Sequence, residues 1–562
     1  RYNSGVIMKK IIFVLFATIL LSGCFKEQEM PVRPAASNNV TFLNMIEGYS
    51  FTAGEEVEIV APISFEKEIS TEKEINELFD IKWYVNADLV GEGYRIKYTF
   101  ARSGGYSLVL KVVNRITGET YLSDSVSVES RNAIGWGWMV LSDRDGASSL
   151  SFIRPLTYYT SHNLEAEIKG GLGTGPKRLF YYYVQGSIPS SNISGLAKVI
   201  VNQSSGTVTL DGSTLMKDKW MREEFESSTE PEEDFTMTGF AWKETYYLIS
   251  TAAGNLYMKY VDNDHSGIPF YGTYGSMPYS FSMDSNISML QGFHNVIYWV
   301  ANESISLMYD SKNARFMAMI TGNGFETNPT PYKPDLIELS HYDETLTFDP
   351  SVPTVDNLGA GTRCLALGSY EREAYTQYDT DGVTILSQRT YPRYVALLDL
   401  GGSGDYKVYV FGVSPIGAGN HNIVENYMDN FDGDLTEDSV VRFSTDFSTN
   451  PYFYYTDGSN KLYVYGMVQK RSTLLYEATS KITHISTSPL DCPFSDYGGN
   501  STEANWKMAV VQEGGNVAVL DVSTQKILKY MEGSKPKIEE KVISGFGNVK
   551  DIVWATNYVG EF

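Results

Sequence analysis

Three cysteines in 562 residues cannot form a disulfide framework, so stability must come from burial. Histidine is nearly as scarce: His162, His265, His294, His341, His421 and His484 lie scattered, with no His-Glu-x-x-His pair. No Gly-x-Ser-x-Gly elbow occurs either, so zinc-peptidase and serine-hydrolase chemistry lack a motif. Basic residues are in deficit, 45 against 68 acidic, for a formal net charge of −23. Such a field repels nucleic acid and anionic headgroups, and no nucleic-acid partner is expected. Long apolar runs are also missing. The longest, Ile11 to Leu21, falls short of the roughly 20 residues that cross a bilayer.

That run has the form of a targeting segment. Lys9 and Lys10 precede it, and Leu21-Ser22-Gly23-Cys24 closes it with small residues before a cysteine. Arg1 to Ile7, ahead of Met8, read as upstream sequence. The Leu-Ser-Gly-Cys close resembles the bacterial lipobox, which implies cleavage before Cys24 and its acylation, so Cys24 is the expected lipid attachment residue. Removing Arg1, Lys9 and Lys10 with the leader takes the charge from −23 to −26. Phe25 to Pro31 form a charged tether, continuing to about residue 39, and resemble the surface-export tag of Bacteroidota lipoproteins. That resemblance implies display on the outer face of the outer membrane. A bridge between the two remaining cysteines, Cys364 and Cys492, is left open by the sequence.

Two β-rich regions follow. From 40 to 130, short alternating strands at Glu56–Val60, Ile81–Val85, Tyr106–Val113 and Ser125–Val128 predict a β-sandwich, with one short helix over Glu72 to Phe79. Trp83-Tyr84-Val85-Asn86, Gly105-Tyr106-Ser107-Leu108, Val112-Val113-Asn114, Thr117-Gly118 and Val126-Ser127-Val128 resemble a PKD-like, immunoglobulin-type module. The match rests on packing and turn positions, so it implies a fold and no chemistry.

From 135 to 562 a hairpin unit recurs. Copies run from Met139 to Phe152, Ala197 to Leu210, Tyr246 to Tyr260, Val296 to Tyr309, Tyr394 to Val410, Tyr452 to Tyr465 and Met508 to Leu520. Turns such as Asp145-Gly146, Ser205-Gly206, Gly254-Asn255, Asp457-Gly458 and Gly514-Gly515 supply the φ > 0 residues that tight hairpins need. Successive starts lie 58, 49, 50, 98, 58 and 56 residues apart. Hairpins of that size cannot bury both faces alone, and radial stacking makes a β-propeller. The fold class is therefore all-β: a sandwich followed by a propeller of seven blades. Eight stays open, since the interval of 98 holds either a degenerate blade near Leu336 to Phe348 or an insertion between Gly322 and Gly361. Ring closure requires the strand Asp551–Ala555 to pair with the region just before Trp136.

Chemistry-bearing motifs are weak. Gly171 to Pro176 is glycine-rich but lacks the strand-to-helix context of a phosphate loop. Asp262 to Gly267 and Asp429 to Asp434 group carboxylates as calcium loops do, yet neither completes the helix–loop–helix pattern, and Asx-type turns are the expectation. No cofactor and no catalytic or metal residue is assigned, with calcium the open exception. Ser142 to Ser148 loosely resembles the Asp-box turn of sialidase-like propellers without its following aromatic. Tyr181–Tyr183, Trp220, Trp242, Tyr271, Tyr274, Tyr279 and Tyr298-Trp299 are expected in the core between blades, and no ligand-binding residue is named.

Leader, tether, PKD-like module and propeller together resemble the accessory surface lipoproteins of SusC/SusD-type nutrient importers. The resemblance implies a non-catalytic partner of a TonB-dependent transporter, capturing oligopeptides or glycans on a rim of loops, with the PKD-like module as spacer. The alternatives are a propeller glycoside hydrolase or lyase using paired carboxylates, and a structural scaffold for the importer.

Overall fold

The structure, a computed structural model, describes residues 38–43, 49–52, 56–100, 104–131, 137–155, 157–166, 168, 171–187, 194–212, 214–243, 246–260, 272–279, 286–288, 304–321, 335–344, 346–378, 385–417, 420–443, 451–488 and 507–555. Cys24, Cys492, the Asp262 to Gly267 loop, Tyr271 and Tyr298-Trp299 lie outside these residues. The chain divides into two compact units, one ending at Glu129 and one running on from Ser130.

In the first unit, Phe79–Val85 alternates buried and half-buried residues, so Ile81 and Trp83 face inward and Lys82 and Tyr84 outward. It pairs with Gly104–Asn114, whose Leu108, Leu110 and Val112 join the same buried face. Trp83 is fully buried, and its indole nitrogen donates to the Gly93 carbonyl at 2.9 Å. The helix Glu72–Leu78 starts at Thr71, whose hydroxyl accepts from the Glu74 amide, and ends where Phe79 turns into the strand. Two further pairs, Val40–Phe42 with Ile63–Phe65 and Glu56–Val60 with Arg95–Thr99, complete the described sheets.

In the second unit the described residues form seven antiparallel sheets, six four-stranded and one three-stranded. Each sheet is built on one hairpin, which in six of them supplies the two middle strands and in sheet 3 a middle and an edge strand. Sheet 1 holds Gly137–Arg144 and Ala147–Ile153; sheet 2, Ser194–Gln203 and Val208–Asp211; sheet 3, Tyr246–Thr251 and Leu256–Tyr260. Sheet 4 holds Ser304–Asp310 and Arg315–Thr321, sheet 5 Ile385–Leu400 and Asp405–Gly417, sheet 6 Tyr452–Thr456 and Lys461–Gly466, and sheet 7 Lys507–Gln512 and Asn516–Asp521.

The middle strands read as continuous apolar runs because both their faces are covered. Along Gly137–Arg144, Met139 and Leu141 pack toward sheet 2, whereas Trp138 and Val140 pack toward sheet 7. Along Tyr452–Thr456, Tyr452 and Tyr454 face sheet 7 while Phe453 and Tyr455 face sheet 5. Met308 faces sheet 3 and its neighbours Leu307 and Tyr309 face sheet 5. The period of two thus divides each strand between two cores. Sheets 2 and 3 share a core built on Ile200, Phe225 and Tyr257, which completes a cyclic series of seven intersheet cores. Each fully buried Leu, Val or Phe contributes about 1.5–3 kcal/mol to this circuit.

The circuit closes covalently distant ends. Asn548–Ala555 pairs antiparallel with Gly137–Arg144, with Trp554 opposite Trp138. The partner lies just after Trp136 and not, as expected, just before it, and Gly137–Arg144 carries the run of buried residues that a middle strand needs. The result is a propeller-like topology.

The open alternative of an eighth blade near Leu336 is corrected. Asp335–Glu338, inside the region proposed as an eighth blade, is the fourth strand of sheet 4, and Ala318 and Ile337 pair across it. The long interval is filled by that strand, the connection to Thr362, and the 16-residue strands Arg363–Tyr378 and Ile385–Leu400. The Val296 start of the fourth hairpin lies outside the described residues; within them Ser304–Asp310 pairs with Arg315–Thr321 through a turn at Ser311 to Ala314.

Candidate functional site

In sheets 2 to 7 the first strand is an edge of its sheet, and in sheet 1 the closing strand Asn548–Ala555 takes that place. These edge strands pack side by side: Asn548–Ala555 touches both Pro176–Ser187 and Ile482–Thr487, and Ile482–Thr487 touches Val441–Phe443. They are therefore the inner strands of the circuit. Each begins at the end where its sheet carries the hairpin turn, as where Asp551 pairs with Leu141 near Asp145-Gly146 and His484 with Val511 near Gly514-Gly515.

Four of these strands bring ionisable side chains together. Asp551 is 2% exposed and accepts from Arg178 Nε at 3.0 Å and from the Leu179 amide at 2.9 Å through Oδ2, and from the Ile552 amide at 2.9 Å through Oδ1. One carboxylate thus ties the closing strand to sheet 2. Arg442, in the middle of Val441–Phe443, lies within electrostatic range of both Asp551 and Arg178. Burial pushes its pKa down, the attraction of Asp551 opposes this, and Arg178 adds to it, but a guanidinium stays charged at neutral pH.

His484 completes the group. Burial lowers its imidazole pKa, Asp551 works against that, and the repulsion of Arg178 and Arg442 reinforces it. Its ring is within 3.1 Å of the Thr483 hydroxyl and also bonds to the Lys550 backbone. The arrangement is two guanidiniums and an imidazole around one carboxylate that already accepts three protein donors. Arg178 Nη2 is buried yet meets no acceptor among the described residues, although the whole side chain is 24% exposed. Such a group can hold and orient a polar ligand. Among the described residues that act on Arg442 and His484 the one carboxylate is Asp551, whereas paired acid–base work needs two.

A second charged cluster lies between sheets 2 and 3. Glu224 accepts from Lys198 Nζ at 2.6 Å and from Lys259 Nζ at 2.9 Å, with Lys219 at 3.7 Å, and both Lys198 and Lys259 are almost wholly buried. Lys259 also sits over the rings of Tyr247 and Tyr274, at 4.5 and 5.0 Å. Burial works to raise the Glu224 pKa, but the three lysines outweigh it and hold the carboxyl at about 2. All its partners are protein groups, so we read it as an intersheet lock.

Other sequence features resolve as structure. In the Ser142 to Ser148 turn, Asp143 accepts from the Gly146 amide at 2.7 Å. Gly171 to Gly175 pack against the Ser204-Ser205 turn and lead into a strand. In the Asp429 to Asp434 loop, Asp429 pairs with Lys470 and Asp432 holds the Ser472 amide. Among the described residues no three His, Cys, Asp or Glu side chains group as a metal site. Cys364 is a buried free thiol. Tyr274 is buried, Tyr181 and Tyr279 pack against intersheet cores, and half-buried Trp220 stacks under Lys217 at 3.9 Å.

None of Arg178, Arg442, His484 and Asp551 stands out as a motif in the sequence. A signal was present: each is a charged or polar residue inside a short apolar strand, as in Val441-Arg442-Phe443 and Asp551-Ile552-Val553. Only the circuit of sheets shows that these interruptions meet.

The description of a prokaryotic membrane lipoprotein lipid attachment site matches residues 8–24, ending on the cysteine. The chain is a membrane-anchored lipoprotein. No curated protein matches the lipoprotein. Among solved structures it is similar to a quinonprotein alcohol dehydrogenase-like protein from Bacteroides thetaiotaomicron, at 12% identity and a TM-score of 0.35, covering 93% of this chain and 97% of that one. It is also similar to the computationally designed Ika8 protein, at 11% identity and TM-score 0.33 over 74% and 89% of the two chains. A third is the dihydro-heme d1 dehydrogenase NirN, at 9% and 0.33 over 87% and 77%. Likeness at this distance assigns no chemistry to the lipoprotein.

Among the described residues no helix is long and apolar enough to cross a membrane.

Proposed function

We propose that the lipoprotein is a non-catalytic binding component of a SusC/SusD-type, TonB-dependent nutrient importer, held by acylated Cys24 at the outer face of the outer membrane. In this reading a PKD-like module follows the tether, and a seven-bladed propeller captures oligopeptides or glycans. The observation that carries it is the lipid attachment signal at residues 8–24, which confines a rigid circuit of sheets to a membrane surface. The non-catalytic part is supported by Asp551, whose oxygens accept three protein donors and whose charged neighbours are guanidiniums. A paired-carboxylate hydrolase would need a second acid beside it.

Incubating the purified protein with defined peptide and glycan mixtures, followed by mass spectrometry of bound and free fractions, tests this reading. Enrichment of unchanged ligand on the protein is expected. New cleavage products would overturn the non-catalytic assignment, and failure of affinity-purified protein to bring down a TonB-dependent transporter would overturn the importer assignment.

A further inference from the structure

We propose that one end of the circuit of sheets docks on an anionic lipid surface, through the connections between the third and outer strands of sheets 6, 7, 1 and 2. The hairpin turns of these four sheets lie together at the opposite end, tied by bonds such as Glu513 N–H to the Lys481 carbonyl, Arg144 to the Gly545 carbonyl and Gly175 N–H to the Gly146 carbonyl. Each third strand, counted outward from the inner strand, runs away from its turn. The connections that follow, 467–470 in sheet 6, 522–538 in sheet 7, 154–159 in sheet 1 and 212–216 in sheet 2, therefore share the other end. Each of them carries an exposed large apolar side chain. Val468, Tyr159 and Met216 are more than half exposed and Leu528 is 38% exposed, whereas none of the seven hairpin turns carries one. Charge divides in the same way. The four connections hold Arg154, Lys470, Lys526, Lys529, Lys535 and Lys537 against Glu532 alone, while the seven turns hold Asp145, Asp457 and Glu513 against Lys312.

Sheet 7 concentrates the cations. In the helix Thr524–Met531, Ile527, Tyr530 and Met531 are buried, and Leu528 and Lys529 are exposed. The Ser534 amide donates to the Lys529 carbonyl at 2.8 Å, which brings Lys535 back beside the helix end, and Lys526 Nζ donates to the Lys537 carbonyl at 3.1 Å. Lys470 pairs with Asp429 and Lys526 with Asp521, but no carboxylate among the described residues lies within ion-pair distance of Lys529, Lys535 or Lys537. In sheet 1, Arg154 lies over the Tyr159 ring at 5.6 Å. Exposed apolar side chains set among cations suit the headgroup region of a bilayer, where the cations meet phosphates and the apolar tips enter below them. Two observations favour lipid as the occupant. The chain is a membrane-anchored lipoprotein, so this end is held at high local concentration beside lipid. The net charge of −23 makes an anionic surface repel the chain as a whole and attract this end, which leaves the hairpin-turn end toward the medium.

The test is co-sedimentation of the mature chain from residue 24, made without its leader and so without acyl groups, with lipid vesicles. Phosphatidylcholine vesicles holding about one part in four phosphatidylglycerol are compared with pure phosphatidylcholine at about 0.1 M salt. Binding to the mixed vesicles is expected, at least about tenfold tighter than to the neutral ones and weakened by added salt. Lys529→Gln, Lys535→Gln and Lys537→Gln combined should weaken it about a hundredfold, at about fivefold per lysine, and Val468→Ser, which removes no charge, about fivefold. Because the three lysines hold no ion pair, the combined variant should keep the wild-type denaturation midpoint. Lys73→Gln with Lys97→Gln, exposed cations of the first unit, should leave binding unchanged. Equal binding to both kinds of vesicle, a combined variant that binds as wild type does, or a Lys73 and Lys97 variant weakened as much as the combined one overturns the assignment. A combined variant that keeps vesicle binding but no longer brings down a protein partner assigns this end to protein contact and overturns it equally. No importer or nutrient enters the assay, so its outcome is separate from the importer reading.

Discussion

Trp138 and Trp554 stand opposite each other in adjacent strands, with ring centroids 5.1 Å apart and planes at 84°. More than four hundred residues of chain separate them. Their edge-to-face contact closes the circuit of sheets, and the core shared by sheets 7 and 1 depends on it.

Trp554→Ala is expected to destabilise the second unit by about 2–4 kcal/mol, from lost burial and the lost ring contact. Deleting residues 551–562 should do more, since it removes Asp551 and most of the closing register. Chemical denaturation followed by tryptophan fluorescence measures both. A truncated chain as stable as wild type would show that the circuit does not need its closing strand.

The intersheet lock is centred on the Glu224 carboxylate. Glu224→Gln removes the carboxylate that Lys198 and Lys259 both hydrogen-bond, leaving the more distant Asp218 to face them, and should cost about 3–5 kcal/mol. The Glu224 pKa is about 2 in the fold against 4.5 ordinarily, so its stabilisation is complete above pH 4.5 and is lost as pH falls toward 2. Denaturation midpoints measured across that range should converge for wild type and the Gln variant at the acid end.

His484 acts in a higher window. Its pKa in the fold is below 6.5, so on acidification the unfolded chain takes up the proton first and stability falls as pH drops below about 6.5. Burial sets this direction, the charges of Arg178 and Arg442 reinforce it, and Asp551 and the Lys550 backbone oppose it. His162, lowered by burial and Arg144, adds a component of the same sign. His484→Gln should therefore reduce, without abolishing, the loss of midpoint between pH 7 and pH 5.

Neighbouring glycines in one turn should differ sharply. A Cβ on Gly515, at φ +81°, would sit 2.2 Å from the Gly547 carbonyl oxygen, whereas one on Gly514 meets nothing within 4 Å. Gly515→Ala combines strain with a backbone clash and should cost upward of about 2 kcal/mol, and Gly514→Ala about 1 kcal/mol from its positive φ alone. Equal midpoints for the two variants would contradict the closeness of the 513–515 and 545–547 turns.

Most of the sheet architecture was legible because a hairpin carries its signal locally: an apolar run, a glycine turn, a second run. Met139–Phe152 and Tyr452–Tyr465 are read directly in that way. The strand-like run Val296 to Val300 lies outside the described residues, and nothing in the sequence marks Ser304-Ile305-Ser306 as the opening of a strand. Pairing is set by what the opposite strand offers, and Arg315–Thr321 pairs with Ser304–Asp310. The inner-strand site was not legible, since Arg178, Arg442, His484 and Asp551 acquire meaning only once four strands from three distant regions lie side by side.

Acylation of Cys24 is the claim on which the surface reading stands, and metabolic labelling with a clickable palmitate tests it most directly. The wild-type protein should carry the label and fractionate with membranes, and Cys24→Ser should lose both. An unlabelled wild-type protein, or a serine variant that remains equally membrane-bound, would contradict the account.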